Sequence, residues 1–467
     1  MNMKKIFLSI ITAGVLLVSC SDDDDVTLPE GTVSISLSTT TVNEEDGDVE
    51  ITLNTNNPFL TDVEIAYELS GTATINEDYT IATSPVTLTA GATTVNITLS
   101  IIDDETVELE ETITIAITGI TGDDMAEFVD EELTITLVDN DSYPYENGLL
   151  LLHEGNFGQG NARIDFLSND LQTNQTSIFS EVNGRPLGDT GQSIAFSGDV
   201  AYIVLNNSQK IEVVNRFTFE SITTIDSGLL NPRFMAIVGE KGYVTNWGDG
   251  TNPDDDYVAV VNLTTNSIES NIAVAEGPEA ILANGETVYV AHQGGFGQNN
   301  IVSAINTTNS AVVEITVDDS PNSMQLTAEG ELFVLCGGVP SWAGTESGGS
   351  LIVIETADNT VARTLEFAET EHPGSLEVDA DGELYYMVAG NLFTLNVDAT
   401  DLPTNPILTG KFWYGMDIIG TTLYGSDAKD YVSNGAVEVY DLTDISLIST
   451  LDVGVIPAAV YENVSSN

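Results

Sequence analysis

Residues 148–166 read GLLLLHEGNFGQGNARIDF. They give an apolar strand over 149–152, a polar glycine-rich loop over 153–161 and a second strand over 162–166. The C-terminal two-thirds of the chain repeats this unit. An aromatic residue or leucine sits at the heart of an apolar strand at Leu151, Tyr202, Tyr243, Tyr289, Phe333, Tyr385 and Tyr424, at spacings of 51, 41, 46, 44, 52 and 39 residues. Tight turns such as Ser197-Gly198-Asp199 come just before most of these strands. Polar turns such as Asn306-Thr307-Thr308-Asn309-Ser310 close the strand that follows. A lead strand precedes each unit, opened by Pro232, Pro278, Pro321, Pro373 and Pro457, or without proline over 192–197 and 414–419. Four strands in about 45 residues, seven times over, predict a seven-bladed β-propeller over 147–467.

The repeat is out of phase at its ends. The strand at 149–152 has no lead strand, and the lead strand at 457–463 has no successor. Pairing the two lets the C-terminal strand close the ring, which removes exposed sheet edges. No length of chain reads as a long amphipathic helix, so the fold class is all-β.

Residues 32–141 read differently. Period-two alternation runs through Val33-Ser34-Ile35-Ser36-Leu37, Val49-Glu50-Ile51-Thr52-Leu53 and Ile113-Thr114-Ile115-Ala116-Ile117. Turns every ten to fifteen residues complete the pattern of an antiparallel β-sandwich. Its carboxylates cluster in loops, and sandwich loops gather at the two ends. Converging carboxylates repel unless protonated or bridged by a hard cation, and Ca²⁺ accepts six to eight oxygens in loose geometry. The stretches Val42-Asn43-Glu44, Gly71-Thr72-Ala73 with Asp78-Tyr79, 103–108 (DDETVE) with Glu111, and Asp139-Asn140-Asp141 resemble the Calx-beta domain. That resemblance implies Ca²⁺ ligands at Glu44, Asp78, Asp103, Asp104, Glu108, Glu111, Asp139 and Asp141. A solvated acidic rim without a specific ion is the alternative.

Composition narrows the partners. The 467 residues carry 73 Asp and Glu against 11 Lys and Arg, a net charge of −62, with 42% apolar residues. The apolar content is that of a globular chain. Such a surface repels nucleic acid and anionic lipid. Residues 1–20 read as an export signal: Lys4 and Lys5, an apolar run over 6–18 too short to span a membrane, then Leu17-Val18-Ser19-Cys20. The cysteine resembles the lipobox of bacterial lipoproteins, which implies acylation of Cys20. Ser21-Asp22-Asp23-Asp24-Asp25, within a linker to residue 31, resembles the signal that sends Bacteroidota lipoproteins to the outer face of the outer membrane. Only Cys336 then remains, so no internal disulfide is expected.

In the propeller, second-to-third strand loops and inter-blade links share one face. That face collects the candidate ligand-binding residues His153, Asn156, Phe157, Gln159, Arg185, Arg233, Trp247, His292, Phe296, Gln298, Trp342, His372, Trp413 and Tyr431. Large side chains able to stack and to hydrogen-bond, set on loops over a rigid scaffold, suit a ligand surface. The alternative is that some pack between blades. Loops 153–161 (HEGNFGQGN) and 292–300 (HQGGFGQNN) agree at six of nine positions. No Gly-x-Ser-x-Gly elbow, His-Glu-x-x-His or cysteine pair occurs, so no catalytic residue and no redox cofactor are expected and binding outranks catalysis.

The repeat resembles YncE-like propellers, and residues 148–158 resemble the opening of Bacteroidota surface propeller lipoproteins of the DUF5074/BtuG type. That resemblance implies capture of a small nutrient, with cobalamin among the candidates, beside a TonB-dependent transporter. Ca²⁺-dependent adhesion to a glycan or protein is the competing reading, and a lactonase-like enzyme a more distant one.

Overall fold

The structure, a computed structural model, describes residues 30–465. The predicted export segment, Cys20 and the acidic run after it lie outside the described residues. The chain divides after Ser142 into two compact units.

The first unit is a sandwich of two five-stranded sheets. One runs Tyr79–Ile81, Thr94–Ile101, Val49–Thr55, Gly31–Leu37, Ala126–Phe128. The other runs Thr41–Asn43, Glu132–Val138, Glu111–Thr121, Val63–Gly71, Val86–Leu88. Alternation works as predicted: Ile51, Leu53, Ile65 and Ile115 are fully buried, while their Thr and Glu neighbours face outward. Burying one face and solvating the other is what a two-layer β fold requires.

The second unit is a propeller of seven four-stranded sheets. Pro457–Asn463 pairs antiparallel with Gly148–His153, with Leu151 opposite Val460, and supplies the innermost strand of blade one. Asn463 is wholly buried in this closure. Its Oδ1 accepts from Arg216 Nε at 2.6 Å, and its Nδ2 donates to the carbonyls of Arg216 and Tyr145.

The repeated aromatics lie between blades, with Tyr202, Tyr243, Tyr289 and Phe333 fully buried. Two hydroxyls reach the polar turn of the next blade: Tyr202 donates to Asn266 Oδ1 at 3.1 Å and Tyr289 to Asn359 Oδ1 at 2.8 Å. Each ring fills the gap while its polar tip latches the neighbouring turn. One element goes beyond the all-strand expectation. Ile178–Asn183 is a single short helix, its Ile178 and Phe179 buried, ended by Gly184 at φ 65°. Six lead strands shift register in their first residues, at Gly191/Ser193, Pro232/Met235, Pro278/Ile281, Pro321/Ser323, Gly374/Glu377 and Pro457/Ala459. Such bulges release side chains from the ladder and redirect them.

Candidate functional site

Six of the eight predicted cation ligands meet at the acidic end of the sandwich. Glu44 stands in the tight turn Glu44–Asp46, and Asp139 and Asp141 follow Glu132–Val138. Oxygens of these three lie within 4.8 Å of one another, as do those of Asp78, Glu108 and Glu111. Asp103 and Asp104 join neither triad. Asp103 accepts from Asn140 Nδ2 at 3.4 Å, and Asp104 is tied to the Thr106 amide at 2.6 Å.

Burial, with Asp139, Asp104, Glu108 and Asp141 nearby, pushes the Glu44 carboxyl up to about 7. Burial and Asp78 push Glu111 up to about 7. Glu44 Oε2, Glu111 Oε2 and Asp141 Oδ2 are buried without a hydrogen-bond partner. Unpaired buried carboxylate oxygens that repel one another are the donor set a hard divalent cation takes. The residues fit Ca²⁺.

On the propeller's loop face the predicted residues separate into two groups. Phe157, Phe296, Trp342 and Tyr431 are exposed, Phe296 at 83% and Trp342 at 87%. Phe412 and Tyr414 join them, and among the described residues these six are the exposed aromatics of the propeller. All six lie on second-to-third loops or inter-blade links. Gln159 and Gln298 are exposed beside the two phenylalanines. Asn156 caps its loop, donating from Nδ2 to the Tyr431 carbonyl at 2.9 Å.

The histidines correct the expectation that they offer themselves to a surface ligand. His153 and His292 are wholly buried at the ends of blade strands. His153 Nε2 meets Asp165 Oδ2 at 3.0 Å, and His292 Nε2 meets Ser303 Oγ at 2.8 Å. The twin loops therefore share a buried anchor, and burial holds both imidazoles below their ordinary value, His292 down to about 4. His372, half-buried, lies with Nδ1 2.9 Å from the Gly337 carbonyl. Trp413 packs at Tyr440 and donates to Glu438 at 3.1 Å, so it is tied into blade seven. Arg185 is held by Glu212 through two bonds of 2.8 and 2.9 Å.

Arg233, at the start of the lead strand Pro232–Val238, forms the centre of a cluster. Its guanidinium meets Glu279 at 2.9 and 2.6 Å and lies 4.2 Å above the Trp247 ring. Trp247 in turn packs edge-on to Phe296 at 5.8 Å and donates to the Pro278 carbonyl. Glu154 accepts from the Tyr414 hydroxyl at 2.9 Å, and Tyr414 meets Tyr431 edge to face. Burial raises the Glu154 carboxyl, against the pull of Tyr414 and Arg233. Sequence reasoning missed Glu154, Glu279 and Tyr414. Glu279 follows Pro278 as Arg233 follows Pro232, so the shared position in the lead strand was the available signal.

Glu377, Asp417 and Tyr461 lie on the first strands of blades six, seven and one. Burial pushes Asp417 up to about 7 and Glu377 well above the usual carboxylate range. Gln325 Nε2 donates to Glu377 at 3.0 Å and the Val460 amide to Asp417 at 2.9 Å.

The family described as Domain of unknown function (DUF5074) matches residues 147–391, more than half of the chain. The Calx-beta domain matches residues 22–141. No curated protein matches. Among solved structures the chain is similar to the hydrazine synthase of Kuenenia stuttgartiensis, at 17% identity over 57% of this chain and 88% of that one, with a TM-score of 0.44. It is also similar to the dihydro-heme d1 dehydrogenase NirN in complex with DHE, at 12% identity over 69% and 76%, TM-score 0.44. The apo form of the Calx CBD1 domain is similar at 19% identity over 23% of this chain and 98% of that one, TM-score 0.21.

Proposed function

The chain belongs to the DUF5074 family and carries a Calx-beta domain ahead of its propeller, and on that premise we propose that it is a surface capture protein. The propeller binds an extracellular ligand on its loop face, with a small nutrient such as a cobalamin-like cofactor first among the candidates. An acyl chain on Cys20 anchors the protein to the outer face of a Bacteroidota outer membrane, and the ligand passes to a TonB-dependent transporter. The observation that carries this reading is the gathering of six exposed aromatic residues on one face, around the Arg233–Glu279 and Glu154–Tyr414 pairs. Exposed rings set on fixed loops present a large stacking surface at small entropic cost. The Arg233–Glu279 ion pair and the Tyr414–Glu154 hydrogen bond supply groups that orient a polar ligand, and each of the four side chains has a partner.

The sandwich is read as a Ca²⁺-binding spacer, with Glu44, Asp139 and Asp141 holding one ion and Asp78, Glu108 and Glu111 another. Ca²⁺ supplies charge neutralisation there, and the carboxylates supply a rigid acidic end. Titration of the full chain with cobalamin tests the capture reading. A shift in the corrin absorbance or calorimetric binding at micromolar ligand supports it, and no binding sinks it. The second reading is adhesion to a glycan. Trp342 and Tyr431 favour it, because flat exposed rings stack on sugars as well. Glycan binding that needs Ca²⁺, with cobalamin ignored, would select adhesion.

A further inference from the structure

The propeller holds a cleft of about 600 Å³ where blades seven, one and two meet, within the range of small-molecule sites. Its walls are the loop after Gly148–His153, the link carrying the short helix, and strand ends of blade seven at Asn434 and Val455. Charge sets it apart. The chain has 73 acidic residues against 11 basic ones, and three other clefts follow that balance. Asp256 and Glu276 line one, Asp318, Asp319 and Glu366 another, and Glu68, Asp130 and Glu132 a third on the sandwich. In this cleft no Asp or Glu reaches the wall, while Arg163 and Arg185 both do.

Both guanidiniums are fixed from behind. Arg163 Nη2 meets Asp165 at 2.8 Å, and the guanidinium lies so close to Gly454 that a Cβ there would come within 2.6 Å of it. Arg185 is held by Glu212 and lies 4.7 Å from the centre of the Phe179 ring. Asp165 and Glu212 pair with these guanidiniums without lining the cleft, so the wall itself presents the positive side of each pair. Arg163 Nη2 is taken by Asp165 and its Nε is enclosed, yet the side chain stays 29% exposed, which leaves the remaining guanidinium edge to a ligand. The hydroxyls of Ser177 and Ser180 add polar contacts, and Leu187 and Val455 give an apolar side.

We infer that this cleft binds a small molecule in which one oxyanion, a carboxylate or a phosphate ester, is joined to an apolar body, with the exposed edges of the Arg163 and Arg185 guanidiniums donating to the oxyanion. An arginine fork held by a carboxylate on one edge and open on the other is suited to such a group. None of the six exposed aromatics lines the cleft, so the inference does not rest on the aromatic surface that carries the capture reading.

The full chain is titrated by calorimetry with 3-phenylpropionate, benzyl phosphate and the neutral 3-phenylpropanol. One of the two anions binds at a single site, at least tenfold tighter than the alcohol, and the tighter anion names the head group. Arg163→Lys keeps the charge but loses the planar guanidinium fork, and weakens that anion about tenfold. Ser180→Tyr, on the surface of the short helix, fills the cleft and abolishes binding while the melting temperature stays at the parent value. Binding that ignores both substitutions, equal binding of acid and alcohol, or no binding of either anion overturns the inference.

Discussion

His153 Nε2 lies 3.0 Å from Asp165 Oδ2, and Arg163 Nη2 lies 2.8 Å from the same oxygen. One wholly buried carboxylate thus holds a buried imidazole and the guanidinium of the facing strand residue. Burial works against Asp165 ionisation, but the His153 and Ser177 hydrogen bonds and Arg163 keep its carboxyl below the usual range.

Replacing His153 with alanine therefore acts on stability. It leaves a cavity and one fewer partner for Asp165, a loss of about 1–3 kcal/mol. The expected outcome is a lower melting temperature for the propeller with ligand affinity at the loop face changed less than threefold. Calorimetric unfolding set beside a binding titration checks both halves. A large affinity loss at an unchanged melting temperature would return His153 to the ligand surface.

Asn463 is the polar counterpart at the point of closure. Asn463→Ala strips Arg216 Nε of its acceptor and the Tyr145 and Arg216 carbonyls of a donor. The expected loss is about 1–3 kcal/mol. Thermal unfolding of the propeller shifts down by a few degrees, with the sandwich transition unmoved.

Calcium removal addresses the sandwich. A hundredfold excess of Ca²⁺ over its dissociation constant stabilises the bound state by about 2.7 kcal/mol. Chelation lowers the sandwich transition, and restored Ca²⁺ raises it again. Glu44→Gln and Glu111→Gln, one from each triad, each weaken that response, and the pair removes it. Titration calorimetry counts the sites: two ions for the parent, one for either single variant.

The pH response has opposite signs with and without the ion. Glu44, Glu111 and Asp417 have folded values of about 7, against about 4 in an unfolded chain. Between those values the folded state holds protons that the unfolded chain releases, so stability falls as pH rises from about 4 through about 7. Without Ca²⁺ both transitions are higher at pH 5 than at pH 8. With saturating Ca²⁺ the sandwich transition reverses, because the ion needs the carboxylates deprotonated, while the propeller keeps its slope from Asp417. A sandwich transition with the same slope in both conditions would remove the cation site.

The fold was legible because its signals are local and repeated. The period of Leu151 through Tyr424 marks blades, and the unmatched strand at 148–153 told where the C-terminal strand belongs. The acidic end was legible from the order of its motifs, but the division of its ligands into two triads depends on how four loops converge, which no spacing encodes. The loop face was legible only as a set. Phe157, Phe296, Trp342 and Tyr431 are open to solvent, but the two twin-loop histidines turn inward, because the residue just before each loop is still the end of a buried strand. Glu154 carries no signal as one acidic residue among 73 until the ring closes around it, whereas Glu279 is marked only by sharing with Arg233 the position after a lead-strand proline.

That split between open and anchored side chains separates ligand binding from folding. Trp342 is 87% exposed and Phe296 83%, so truncation of either leaves little unburied that was buried before. Surface changes of this kind stay within about 0.5 kcal/mol of the parent stability. Trp247 and Trp413 differ: each donates a hydrogen bond to blade backbone or carboxylate and packs against a cation, so their alanine variants lose about 3 kcal/mol or more. If the loop face captures a ligand by stacking, Trp342→Ala or Phe296→Ala lowers affinity by about 1–3 kcal/mol while the melting temperature holds. Binding titrations and thermal scans on the four variants test that separation. Ligand affinity untouched by both exposed-ring variants would remove the aromatic face as the binding surface, whatever the ligand proves to be.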